Sequence, residues 1–204
     1  MESKISDAAM EKATGKIWSK WKQILNKNDA KNKSHKEVVG FLRKKHEISH
    51  WWAQTITVRY EQEEKGREIG ETKDVGFEVG IQKTVNTTKE QLWDYLLSKE
   101  GLRTWLGNID QIDWKKGVKF NTDEGIEGEI RVFKPYHHLR IKWKPPHWAK
   151  LSTLQLAVTS TNTGKGTMRF HQEKLADGKV REEMKDHWKK IAKKISINIK
   201  KMES

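Results

Sequence analysis

Three histidines, His137, His138 and His147, fall within the eleven residues of "HHLRIKWKPPH". Imidazoles bind transition metals, so this stretch is weighed first for chemistry. Its spacing counts against a site. The histidines flank the two ends of an alternating strand, and adjacent His137 and His138 are expected on opposite faces. A second set is acidic: Asp110, Asp113, Asp123, Glu124, Glu127 and Glu129 could supply a general acid or base. Glu127 and Glu129 alternate with Ile126, Gly128 and Ile130, which predicts carboxylates on the face away from the apolar one, unless a bulge intervenes. His171 follows Phe170 and is expected to face away too, although a strand end can turn it toward a cavity mouth. "GKGT" at 164–167 superficially resembles a phosphate loop, but no glycine stands at the required distance ahead of Gly164, and a hairpin turn accounts for it. With no cysteine, the chain has no disulfide, thiolate nucleophile or thiolate metal site. No catalytic constellation emerges, and neither a metal nor a cofactor is expected.

Composition narrows the partners. The 204 residues are 34% hydrophobic and 34% charged, with a mean hydropathy of -0.91, yet ten tryptophans and five phenylalanines supply large apolar surface per residue. The N-terminus lacks an apolar signal core, and no stretch approaches the roughly 20 apolar residues that cross a bilayer, so a soluble, cytoplasmic protein without a membrane span is expected. The formal charge of +13 divides into 15 basic against 10 acidic residues in 1–70 and 26 against 18 in 71–204. Such a surface attracts anionic partners, or is simply a solvated lysine-rich face. Residues 131–150 hold six basic side chains and no acid, and 185–201 hold seven lysines with Asp186 as the one acid. Trp143 and Trp148, interleaved with the first cluster, make nucleic-acid binding conceivable. The expected inward placement of Trp143 and Trp188 weighs against it.

Residues 1–62 read as helices. Ser6 is expected to cap "DAAMEKA", and Thr14 with Gly15 to start "KIWSKWKQILNK", where Trp18, Trp21 and Leu25 recur at helical spacing. Ser34 and Glu37 form a capping box ahead of "VVGFL". In "HEISHWWAQTITVRYEQ" the β-branched run favours a strand. The cap at Ser49 and the helical spacing of Trp52, Ile56 and Tyr60 favour a helix, which is the reading adopted; Trp51 lies on a neighbouring stripe. Residues 67–76, charged and glycine-containing, suit a linker. Beyond it the periodicity changes. "FEVGIQKTV" reads as a strand and "TTKEQLWDYLLS" as a helix capped by Thr87 or Thr88; "KEGLRTWLG" reads as a short helix ending at Gly107. Five hairpin-like strands follow: "GVKFNT", "GIEGEIRVF", "HLRIKWK", "LSTLQLAVTST" and "GTMRFHQEKL". The last helix aligns Val180, Met184, Trp188, Ile191 and Ile195 in one apolar stripe. The order predicts an α+β fold, a curved antiparallel sheet gripping a long C-terminal helix over 77–204, preceded by a small all-α domain over 1–66.

This order, with "TTKEQLWDYLLSKEGLRTWLG" early, "HLRIKWKPP" in the middle, "GTMRFHQEKL" late and "HWKKIAKKI" near the end, resembles the SRPBCC or START-like superfamily. The nearest branch looks like the activator of heat-shock-protein-90 ATPase homologue group. Trp93 and the run Lys99, Glu100, Gly101, Leu102 with Trp105 match its early motif. Lys142 and Trp143 stand where the middle motif ends in Thr-Trp, and Thr167, Met168, Phe170 and His171 match the late pattern. The chain departs at His187-Trp188, where many members carry Gly-Trp. Residues 1–66 are similar to the small domain of unknown function 4287, through "SHKEVVGFLRKKHEISHWWAQTITVRYEQ".

The resemblance implies a helix-grip fold with an apolar cavity, used across the superfamily for lipids, hormones, polyketides or aromatic compounds, with only some members enzymes. Alternation then nominates the lining: Phe77, Val79, Ile81, Ile130, Val132, Leu139, Ile141, Trp143, Leu154, Leu156, Val158, Met168 and Phe170 from strands, and Met184, Trp188 and Ile191 from the last helix. Trp105 joins them from the early motif. The same residue types fill ordinary cores. The expected role is non-catalytic binding of a small hydrophobic ligand, with the helical domain contacting a protein partner. The alternatives are a cyclase- or hydrolase-like enzyme on a cavity-bound molecule, a chaperone ATPase regulator, and a nucleic-acid binder.

Overall fold

The computed structural model describes residues 5–72, 76–109 and 111–202; Asp110, named above, lies outside them. The chain divides into two compact units, 1–69 and 70–204.

In the first unit, α1 (Asp7–Thr14) is capped by the Ser6 hydroxyl, which accepts from Ala9 N at 3.2 Å. Gly15 ends it at φ 72°. Thr14 therefore closes this helix rather than opening the next: its hydroxyl donates to Met10 O at 2.7 Å, and α2 (Trp18–Lys27) starts after Ile17 without a side-chain cap. A 3-10 turn (Ala30–Asn32) leads to α3 (His35–His46), whose Ser34/Glu37 capping box forms as expected. The segment from His50 to Glu64 is helical (α4). Its β-branched residues are accommodated because Thr55 and Thr57 fold back onto the carbonyls of Trp51 and Ala53, at 2.9 and 2.7 Å. Ile56 and Tyr60 are buried with Trp21, Leu25 and Leu42, while Trp52 is half-buried and Trp51 stands 59% exposed, edge-on to Trp52.

A charge cluster around the buried Glu61 ties α3 to the residues after α4. Glu61 accepts from Arg67 Nη1 at 2.6 Å and lies 2.8 Å from His35 Nδ1, whose other ring nitrogen faces Gln54 Oε1. Both ring nitrogens donate only in the imidazolium, and the Glu61 contact raises the His35 pKa against the opposing effect of burial. Burial pushes the Glu61 carboxyl up; the bonds from His35 and Arg67 outweigh it and hold the carboxyl below its ordinary value. A raised histidine stabilises below its ordinary value and loses that contribution as pH rises through the folded one. A depressed carboxyl stabilises above its ordinary value and loses it as pH falls. The stabilising contribution of this cluster is therefore expected to be greatest between the ordinary values of 4.5 and 6.5. Thermal melts across pH check this, and His35→Gln is expected to remove the decline on the alkaline side.

The second unit is a seven-stranded antiparallel sheet in the order β1-β2-β7-β6-β5-β4-β3. Within the stretch read as a linker, Glu71–Thr72 (β1) pair with the start of β2 (Gly76–Thr84). The capped helices α5 (Lys89–Leu97) and α6 (Lys99–Trp105) follow, with Thr88 and Gln91 making the capping box on α5. Then come β3 (Lys119–Asn121), β4 (Glu127–Lys134), β5 (His138–Lys144), β6 (Ser152–Ser160) and β7 (Gly166–Leu175), and finally α7 (Gly178–Met202). The "GKGT" stretch belongs to the β6–β7 hairpin, with Thr161 N donating to Lys165 O at 2.8 Å. The curved sheet packs its inner face on α7, which meets β2 and β7, while α5 rests on β6 and β7.

Two glycines fix close approaches. A Cβ on Gly101 would lie 1.9 Å from Tyr95 O, so the Glu-Gly-Leu run exists to let α6 turn tightly against α5. A Cβ on Gly128 would lie 2.0 Å from the Phe120 ring, which covers this residue across the β3–β4 pair. Gly101→Ala is expected to destabilise the second unit by on the order of 1–3 kcal/mol, since backbone rather than a flexible side chain must move. Denaturant melts monitored by tryptophan fluorescence would measure it.

Candidate functional site: the interior of the helix grip

The inner face of the sheet follows the strand period. Val79 of β2, Met168 and Phe170 of β7, Leu154, Leu156 and Val158 of β6, Leu139, Ile141 and Trp143 of β5, and Ile130 of β4 are all buried. Met184 and Trp188 of α7 and Trp105 of α6 join them in one continuous cluster, with Phe77, Ile81 and Ile191 half-buried at its margin. Val132 does not belong. A register shift between Ile130 and Val132 sets Val132 opposite Arg140 and Phe133 opposite Leu139, so an extra residue in β4 carries Val132 away from the inner face. Phe133 packs against the core in its place, stacked on Trp114 at 5.4 Å. A second irregularity sits where β2 meets β7: Phe77 pairs with Leu175 but Val79 with Gln172, and Lys174 takes up the extra residue at φ 65°.

Five rings form a continuous path through the grip. Trp105 lies 6.4 Å from Phe170, Phe170 stacks on Trp188 at 4.8 Å and 9°, Trp188 meets Trp143 at 5.9 Å, and Trp143 meets Trp148 edge-on at 5.5 Å. Indoles bring N–H groups that must be satisfied once buried. Trp105 Nε1 donates to Leu96 O at 2.8 Å. Trp188 Nε1 donates to Gln172 Oε1 at 2.8 Å; Gln172 Nε2 donates to Ser152 Oγ at 2.9 Å; and the Ser152 hydroxyl donates to Trp143 O at 2.8 Å. Gln172 and Ser152 are 0% and 1% exposed. Trp143 Nε1 is buried without a hydrogen-bond partner among the described residues.

Sequence reasoning passed over Gln172, Ser152 and Phe133. The signal for the first two was present: Gln172 continues the two-residue period of Met168 and Phe170, and Ser152 that of Leu154 and Leu156. An apolar criterion discards polar residues at inward positions. Phe133 carries no such signal, because the bulge that turns it inward is a pairing event.

The polar candidates lie elsewhere. Glu127 and Glu129 face outward as expected, paired with Lys144 at 3.0 Å and with Lys142 and Arg131 at 2.7 and 2.6 Å. His171 also faces outward, 3.5 Å from both Glu78 and Glu173, and Glu173 accepts from Arg140 at 2.6 Å. These pairs form a ladder across the outer face. Asp113 pairs with Lys115 at 2.9 Å, and Asn108 donates to Asp123. Backbone N–H groups of Glu124 itself and of Asn108 hold the Glu124 carboxyl below its usual range. One expectation fails. His137 and His138 do not diverge, because His137 belongs to the turn before β5; their Nδ1 atoms approach to 2.6 Å, and His147 lies apart beside Trp148.

The profile of the family described as Activator of Hsp90 ATPase homolog 1-like protein matches residues 86–199. The chain belongs to this family. A second profile, Domain of unknown function (DUF4287), matches residues 7–62. No curated protein matches the chain. Among solved structures, the fold is similar to DynU16, a putative protein in the dynemicin biosynthetic locus, at 13% identity and TM-score 0.54, covering 60% of this chain and 47% of that one. The chain thus spans about half the length of that relative. Protein MLL2253 from Mesorhizobium loti is similar at 19% identity and TM-score 0.53, covering 61% of this chain and 97% of that one. CalU16 from Micromonospora echinospora is similar at 15% identity and TM-score 0.52, covering 61% and 76%. At these identities the likeness concerns the fold alone. The family's long helix carries Trp188 here, and Gln172 is what makes that indole tenable. Gln172→Met keeps the volume but leaves the N–H of Trp188 unpaired, an expected loss of about 1–3 kcal/mol. Chemical denaturation, with far-UV circular dichroism verifying an intact fold, would measure it.

Proposed function

We propose that this chain is a non-catalytic binder of a small, uncharged hydrophobic molecule held between the sheet and α7, oriented by Trp143. The observation that carries this reading is the Trp143 Nε1 donor, buried and unpartnered beside Trp148 and Trp188. A buried indole N–H without an acceptor is costly, and a ligand carbonyl, ether or phenol oxygen would relieve it. The aromatic path offers stacking surface to a planar molecule. Among the described residues of the grip interior the buried polar side chains of the sheet's inner face are Gln172 and Ser152, neither a general acid nor a base, which favours binding over catalysis.

Native mass spectrometry of the purified chain and displacement of an apolar fluorescent dye test the proposal. Retention of a small molecule, or saturable displacement by planar aromatic compounds, is expected. Trp143→Phe keeps an aromatic ring but removes the donor and part of the indole volume, so it is expected to weaken binding roughly 2- to 10-fold at a stability cost of about 1–3 kcal/mol for the space left beside Trp148 and Trp188. Absence of both retention and displacement would overturn the reading, as would a Trp143→Phe variant that binds every ligand as well as the parent.

A further inference from the structure

The outer face of α7 is unlike the rest of the surface. From His187 to Met202 the sequence holds six lysines and no carboxylate. The buried stripe of this half is Trp188, Ala192, Ile195 and Ile199, and every one of the six lysines is exposed. At about 100° per residue they sort into two ridges. Lys189, Lys193 and Lys200 lie within about 40° of one another, and Lys190, Lys194 and Lys201 form a parallel ridge about 100° further round. Between the ridges sits Ile197, 47% exposed on a face that is otherwise lysine. The acids of the helix, Glu182, Glu183 and Asp186, all precede this segment; Lys189 faces Asp186 at 3.8 Å, and Lys200 is also engaged by a neighbouring group.

We propose that the C-terminal half of α7 is a docking face for an anionic lipid bilayer, on which the helix lies flat with Ile197 directed into the acyl boundary and the two lysine ridges on headgroup phosphates. Charge complementarity supplies the attraction. The ridges span about 18 Å of helix, and the carboxylates of the sequence around them stand at the ends, Asp186 before the segment and Glu203 after it. The exposed isoleucine selects the occupant. Long lysine stems flanking a single apolar side chain match the boundary between headgroups and chains, where stems lie in the apolar layer and ammonium groups in the polar one. A single-stranded nucleic acid would call for stacking rings on this face, and its aromatic residue, Trp188, is turned into the core. Docking leaves the interior of the grip untouched, so this inference is independent of the ligand assigned to Trp143.

The chain has no cysteine, so Ile197→Cys gives a single labelling position for an environment-sensitive fluorophore on the full chain. Vesicles of mixed phosphatidylglycerol and phosphatidylcholine are compared with phosphatidylcholine alone. Expected are flotation with the anionic vesicles only, its loss at high salt, and a blue shift of the label on binding. Lys190→Glu with Lys194→Glu is expected to reduce partitioning at least tenfold, at roughly fivefold per lysine removed, with an unchanged thermal melt. Ile197→Ser is expected to reduce it several-fold at constant charge. The proposal is overturned if the chain fails to float with anionic vesicles at low ionic strength, if it floats while the label keeps its aqueous emission, or if the double variant floats like the parent. Displacement from vesicles by duplex DNA at lower concentration than by free lipid would assign the face to nucleic acid and overturn it equally.

Discussion

The second unit depends on one burial event: the apolar stripe of α7 must meet the inner face of the sheet, and the contact at its centre is the Phe170–Trp188 stack. A chain with mean hydropathy of -0.91 has few aliphatic residues to spend on that contact. It uses large rings instead. Each buried indole removes more apolar surface than a leucine, and offset or edge-on pairs add about 0.5–1.5 kcal/mol beyond burial. The path from Trp105 to Trp148 is how so polar a sequence builds a continuous core.

That choice has a chemical consequence. Every indole carries a donor, and a core made of tryptophans must contain acceptors or leave donors orphaned. The unit answers with a backbone carbonyl for Trp105 and with Gln172 for Trp188. Gln172 in turn requires Ser152, whose proton goes to the carbonyl of Trp143. The chain of bonds fixes the orientation of the Gln172 amide, and with it the register in which α7 can lie. Trp143 alone among these three donors ends without an acceptor, and the functional reading rests there.

The outer surfaces follow a different logic. Across the back of the sheet, Glu78, Glu127, Glu129 and Glu173 are interleaved with Lys142, Lys144, Arg131, Arg140 and His171, so charge there is largely neutralised between neighbours. Exposed pairs of this kind contribute little to stability. They keep a wide sheet face solvated and balanced. On α7 the acids are instead confined to the N-terminal part, where Lys179, Arg181 and Lys185 stand among them, and the C-terminal half carries lysines, which suits the helix dipole and leaves one end strongly positive.

Local signals in the chain settle the order of elements apart from β1, the caps at Ser6, Ser34 and Ser49, and the inward residues of β5, β6 and β7, because caps and periodicity are local; they leave the cap of α5 open between Thr87 and Thr88. Gly101 was visible as part of a motif, though not its reason. The non-local facts belong to the tertiary fold. The bulge that exchanges Val132 for Phe133 arises from pairing with β5, and the turn that brings His137 onto His138 from where β5 begins. The inward roles of Gln172 and Ser152 were available to a period-two count but acquire meaning only when Trp188 arrives from α7. Strand alternation says which way a residue points. Whether a buried polar atom there has a partner depends on residues far away in the chain, and that decided which indole, Trp143, is left with a hydrogen bond to give.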